Sequence, residues 1–324
     1  MLNKTMDFRP VLFSIGLMLC ILSAALALPM LLDLSLGNPD WKVFFFCILV
    51  SAFFGGSLVI STANQSHSLS IRQAFMLLTL TWVSVSAFGA LPFYMSEVGL
   101  GVTDSFFESV SGITTTGMTV MHRLDEAPAG ILLWRALLQW LGGFGIVIMA
   151  MSVLPFLKVG GMQIFRSETG EDEKSIPRLI GLAQSVGLAY LAITILCILS
   201  YMAAGMATFE AVTFGLSTIS TGGFAPYDES FRIFDNPVKE GAPMIFMIAG
   251  CLPFILYVKL LRGRPGPLLR DSQVRAFLVL LNCATLLLFF HLVTETDLTV
   301  LESLRHAAFN TISVASGTGF TNTD

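Results

Sequence analysis

The sequence predicts an all-α polytopic membrane protein of repeated helix–half-helix/filter–helix pore units, with two extra spans at the N-terminus. Three observations predict it. First, the 324 residues are 54% hydrophobic and only 12% charged, about half the charge that a water-facing surface of this size requires. Second, long apolar runs alternate with short, less apolar ones, and only the long ones can cross a bilayer. Third, each short run ends in a Gly/Thr/Ser cluster, and the three clusters share one register. The net charge of −4 and the lack of a basic run exclude a nucleic-acid footprint, and the apolar content excludes disorder.

The elements follow in chain order. Lys4 and Arg9 precede an apolar run at 11–32. It is longer than a signal-peptide core and lacks a small-residue cleavage site, so it reads as a retained helix. With a second run at 42–61 it forms a leading pair, residues 1–64. A run at 73–98, a short stretch at 103–113 and a run at 129–157 form a first pore unit, 65–160. A polar inner loop, a run at 179–204, a short stretch at 207–218 and a run at 243–261 form a second, 161–264. A run at 274–293 and a short stretch at 299–313 open a third, 265–324, which ends after its cluster. Seven spans result. With the N-terminus inside, twelve of the 18 basic residues fall on the inner side, including Arg262 to Arg275, as the positive-inside rule requires. The short stretches then lie on the outer side.

Aligned without gaps, Phe107–Met118, Thr213–Phe224 and Phe309–Phe320 superimpose Gly117, Gly223 and Gly319, and likewise Ser111, Ser217 and Ser313. The glycines stand 106 and 96 residues apart. A period near 100 that contains a span, a short stretch and a span is an internal repeat of a pore unit. Inside a membrane, non-helical backbone is stable only when buried in protein or lining water. Several such strands around one axis direct carbonyls inward and replace an ion's hydration shell, as in potassium-channel filters. The half-helix turns its negative dipole end toward the axis, which favours a cation. One cluster alone reads as a polar turn; three in register read as filters.

Other residues carry less. Arg135 either snorkels to the headgroups or ties to Glu108 behind the first filter. Asp104, Glu108 and Glu210 attract cations at the mouth or cap helices, and Asp104 suits an N-cap. Asp228, Glu229 and Asp235 read as a solvated outer loop. Cys20, Cys47, Cys197, Cys251 and Cys283 sit in apolar runs as small apolar residues, and their spacing offers no metal site. His67, His122, His291 and His306 read as loop or headgroup residues, with no transition-metal site. Gly55, Gly56, Gly142, Gly143 and Gly145 read as contacts for close helix packing. The stretch 168–174 reads as a solvated linker or a regulator's docking surface. A membrane-embedded enzyme would need facing His, Asp or Glu inside the spans, which have almost none.

Leu133-Trp134-Arg135, Gln139-Trp140-Leu141-Gly142-Gly143-Phe144-Gly145, Leu154-Pro155 and Val159 to Gln163 accompany the first two clusters. Together they resemble the TrkH/KtrB superfamily of bacterial potassium-uptake proteins, and the two leading spans fit the TrkH branch. The resemblance covers essentially the whole chain. It implies four non-identical pore units in one subunit, K⁺ as the transported ion, and no cofactor. As partners it implies a homodimer and a cytosolic nucleotide-binding regulatory ring of the TrkA type. It implies a multi-pass protein of the bacterial inner membrane with a cytoplasmic N-terminus. The family's filter maps onto Thr114, Thr115, Thr116 and Gly117; Ser220, Thr221, Gly222 and Gly223; and Ser316, Gly317, Thr318 and Gly319. Sodium-favouring plant relatives often carry Ser at the first-unit glycine, so Gly117 implies K⁺; Na⁺ or mixed K⁺/Na⁺ conduction is the alternative. Gly317, where Thr is more usual, is expected to loosen the third strand.

Asp324 follows Gly319 by five residues. The third inner helix and a fourth unit, about 150 residues at this period, are therefore expected from a longer protein or from another chain. Without them the chain is expected to be a non-conducting fragment or assembly partner, because three quadrants do not enclose an ion.

Overall fold

The computed structural model describes residues 7–63, 70–157, 175–234, 236–263 and 266–323. Every regular element among them is helical. The expected unit boundaries after residues 64, 160 and 264 lie outside the described residues, as do His67, Asp235 and the stretch 168–174.

Helix α1 (Arg9–Ala25) starts with a proline in its first turn, where the missing N–H has no helical partner to lose. It continues almost directly into α2 (Ala27–Leu36), and the two make one span of 28 residues. Helix α3 (Trp41–Thr62) returns beside α1. Gly16 and Gly55 face each other at this crossing: a Cβ on either would lie within 3.0 Å of the other's carbonyl oxygen. Gly56 and Gly145 meet nothing within 4 Å, so the close packing expected of those two is absent.

Helix α4 (Ile71–Gly89) opens with a capping box between Ser70 and Gln73 and runs through α5 (Leu91–Met95) to complete the third span. The first half-helix, α6 (Val102–Ile113), is followed by α7 (Ala129–Leu157). Helix α8 (Ser175–Ala203) leads to the second half-helix, α9 (Thr208–Ile219). Helices α10 (Pro237–Cys251), α11 (Phe254–Leu261) and α12 (Gly266–Arg270) follow. Helix α13 (Ser272–Glu295) and the third half-helix, α14 (Val300–Ser316), complete the order.

Among the described residues, six helices are long and apolar enough to cross a membrane. The seventh expected span, 243–261, is not one straight rod. Helices α10 and α11 meet at a bend of 98°. The break falls at Leu252-Pro253: proline disfavours helical geometry in the residue before it and supplies no N–H to the ladder.

Among the described residues, two apolar cores take in the half-helices. One joins the leading spans to the first unit through Leu19, Phe44, Phe93 and Trp134. The other joins the second and third units and is rich in rings: Phe214, Phe231, Phe309 and Phe320. Phe231 lies 4.4 Å from Phe214 and 4.8 Å from Phe320, centroid to centroid.

Candidate ion pathway

Each half-helix ends in the same backbone course. Thr115, Thr221 and Gly317 occupy one position of the repeat, with φ of 57°, 52° and 76°. Two residues on, Gly117, Gly223 and Gly319 have φ of 78°, 81° and 80°. Two left-handed residues in three turn the chain immediately after the helix. The turn is held by the helix's own carbonyls. Thr116 and Gly222 donate their N–H to Ser111 and Ser217 at 2.9 Å, and Gly319 donates to Ser313 at 3.2 Å. Gly317 takes the left-handed position that threonines hold in the other two strands. It adopts without strain a conformation that costs a side-chain residue roughly 1–2 kcal/mol.

The three strands converge. Gly117, Gly223 and Gly319 all border one cavity of about 340 Å³, together with Thr119, His122 and Asp228. A Cβ on Gly117 would run into the Gly222 carbonyl oxygen, and one on Gly223 into that of Thr318. The first strand thus edges against the second, and the second against the third, with no room for a side chain at Gly117 or Gly223. The hydroxyls of Thr114, Ser220 and Ser316 turn back onto helix carbonyls or a neighbouring threonine at 2.7–3.1 Å.

Helix α7 braces these strands. Gly142 lies so close to the end of its half-helix that a Cβ would strike the Ile113 carbonyl. Arg135 and Glu108 form a buried ion pair at 2.8 Å, so Arg135 does not snorkel. Arg135 also donates to the Ala225 carbonyl at 2.9 Å and to the Thr119 hydroxyl at 3.0 Å. Its guanidinium lies 4.1 Å from the Phe224 ring centroid. Glu108 accepts in turn from the Thr119 hydroxyl and from the Val120 N–H at 3.1 Å. One pair thereby ties the first half-helix to the segments that follow the first two strands.

Among the outer residues, Glu210 caps its half-helix as one of its expected roles has it, while others depart from expectation. Asp104 lies in the first turn of α6, and the cap position is Gly101 with no side-chain bond. Glu210 accepts from the Ala207 N–H at 2.9 Å and the Tyr227 hydroxyl at 2.7 Å. Burial and that carboxylate push the Tyr227 phenol up to about 12. Asp228 is more than a solvated loop residue, because it accepts from the Leu124 N–H of the first unit at 3.2 Å. His306 is buried in α14 rather than placed in a loop, and Cys283 is exposed.

Sequence reasoning assigned no role to Gln139, Glu240, Asn310 or Asp33. Gln139 is buried one turn beyond Arg135 on α7 and bonds the second strand at Gly222 and Phe224. Glu240 on α10 accepts from Asn322 at 2.6 Å and lies 3.7 Å from Arg305. Asn310 donates to Asn322 at 2.8 Å. Asp33 on α2 accepts the Gly130 N–H at 2.8 Å and so caps α7 from another helix. A polar residue isolated in an apolar run was the available signal for Gln139 and Asp33, whereas Glu240 and Asn310 stand near other polar residues in the sequence.

Residues 41–323 match the family model for TrkH, described as a cation transport protein. The chain belongs to this family. Its members are transporters, not enzymes. It is 36% identical over 319 residues to the Trk system potassium uptake protein TrkI of Halomonas elongata, covering 98% of this chain and 65% of that one. It is 36% identical over 325 residues to TrkH of Salmonella typhimurium, covering 98% of this chain and 67% of the relative. The crystal structure of the potassium transporter TrkH from Vibrio parahaemolyticus superimposes with a TM-score of 0.90 at 31% identity. That match covers 98% of this chain and 66% of the other. The chain thus spans about two thirds of the length of these TrkH-family relatives.

Proposed function

We propose that the intact protein carries K⁺ inward across the bacterial inner membrane as the translocating subunit of a Trk-type system. The filter strands are Thr114–Gly117, Ser220–Gly223 and Ser316–Gly319. The observation that carries this reading is the repeated left-handed pair of residues, which brings three glycines to one cavity with no side chain between neighbouring strands. Backbone oxygens there face a cation at the negative ends of three half-helices. Glu108 and Arg135 support the pore from behind. The names of the relatives, potassium uptake proteins of Trk systems, support K⁺ as the ion.

The segments 1–64, 65–160, 161–264 and 265–324 are proposed as the leading pair, two pore units and the start of a third. The N-terminus is placed in the cytoplasm by the distribution of Lys and Arg. A second copy and a TrkA-type nucleotide-binding ring are the proposed partners.

The test is growth of a K⁺-uptake-deficient bacterium at low K⁺. The intact protein is expected to restore growth. Gly117→Ser is expected to shift selectivity toward Na⁺, because its Cβ must displace the Gly222 carbonyl. Wild-type selectivity in that variant would refute the filter assignment.

A further inference from the structure

Behind the second filter strand, one side chain contacts both peptides that flank the filter glycine. Gln139 Nε2 donates to the Gly222 carbonyl at 2.6 Å, and the Phe224 N–H donates to Gln139 Oε1 at 3.0 Å. Gln139 is fully buried, so both bonds form out of reach of water. The described peptides are all trans. In a planar trans peptide the N–H and C=O point in opposite directions. Holding the Phe224 N–H toward Gln139 therefore turns the Gly223 carbonyl away from it. The Gly222 carbonyl is drawn the other way, toward Gln139 and against Gly117.

The other two strands are held differently. The Ser111 hydroxyl donates to the Met118 carbonyl at 2.5 Å, and the Ser313 hydroxyl to the Phe320 carbonyl at 2.7 Å. Ser217, their counterpart, has a buried hydroxyl with no partner. The second strand thus lacks the local latch of its neighbours, and the inner helix of the first unit supplies a brace instead.

We propose that Gln139 is the positioning residue that sets cation selectivity at the second strand. It commits the Gly222 carbonyl to the protein and aims the Gly223 carbonyl at the ion. Gly222 is then a structural member of the filter, not an ion ligand. This inference rests on the K⁺-uptake reading.

The experiment compares Rb⁺ with Na⁺ uptake in K⁺-uptake-deficient cells that express the intact protein, normalised to the amount in the membrane. Q139M keeps the side-chain length and removes both bonds. Its Rb⁺/Na⁺ ratio is expected to fall about tenfold at normal membrane abundance. Q139E retains an oxygen for the Phe224 N–H and, when ionised, offers no donor to Gly222; its ratio is expected to lie between the two. Q139M in the membrane with a wild-type ratio would overturn the inference. Should Q139M fail to reach the membrane, Q139E is decisive at alkaline pH: a reduced ratio supports the inference, and a wild-type ratio overturns it. Wild-type protein that carries no Rb⁺ would overturn the transport reading and this inference together. A selective wild type with an unaffected variant overturns this inference alone.

Discussion

Glu108 and Phe214 hold the same position in successive half-helices, three residues before the aligned serine, yet their surroundings are opposite. Glu108 sits against Arg135 in a charged network of hydroxyls and carbonyls. Phe214 sits among Phe231, Phe234 and Phe320. The third counterpart, Asn310, joins an amide network with Asn322. The strands in front of these three residues nevertheless follow one backbone course. The local pattern of serine carbonyls and left-handed residues sets the shape of the strand, whereas the material behind it is free to differ. An ion pair, an aromatic cluster and an amide network are three ways to fill one space.

The comparison can be broken at different depths. The largest effect is expected at the strand itself. Gly223→Ala meets the Thr318 carbonyl and a φ of 81° together, so it should abolish K⁺ uptake and reduce folded protein in the membrane. Next come the supports. Arg135→Met leaves Glu108 buried and unpaired, which should cost roughly 3–5 kcal/mol in unfolding in detergent. Arg135→Met with Glu108→Leu should cost less than Arg135→Met alone, since no buried charge remains. Glu240→Gln loosens a wider pair, 3.7 Å to Arg305, but retains an acceptor for Asn322; about 1 kcal/mol is expected. A loss as large as that of Arg135→Met would show that the second tie is the equal of the first.

Of similar size is Gly317→Thr. It restores the residue type of the other two strands where a Cβ meets nothing within 4 Å, so the cost is the left-handed strain alone, roughly 1–2 kcal/mol. The smallest effect is expected at the start of the third half-helix, where Glu302 closes a capping box with Thr299. Hydrogen bonds from Thr299 hold the Glu302 carboxyl below its ordinary range. That stabilisation is present above the ordinary carboxylate pKa and is lost as pH falls through the lowered one. Glu302→Ala should therefore melt slightly below wild type at neutral pH and level with it in strong acid.

The fold was legible because its main signals are local. Span length, the half-length of α6 and α9, and the register of the three glycines are all properties of short stretches. The 98° bend was missed because hydropathy averages over Leu252-Pro253 without regard to backbone angles. The left-handed role of Gly317 was missed for a related reason: Thr115 and Thr221 stand at the same position, and a sequence does not reveal that a threonine is held in that conformation. Arg135 and Glu108 were legible as two charges in apolar surroundings. Gln139 was overlooked because a neutral amide in an apolar helix does not announce a partner 83 residues away.

The most direct measurement is cation flux through the intact protein in liposomes, with K⁺ and Na⁺ gradients compared side by side and Gly117→Ser alongside. The account predicts K⁺ flux well above Na⁺ flux in the wild type and a narrowed difference in the variant. Equal K⁺ and Na⁺ flux in the wild type, or full selectivity retained by Gly117→Ser, would contradict a backbone filter built on these three strands.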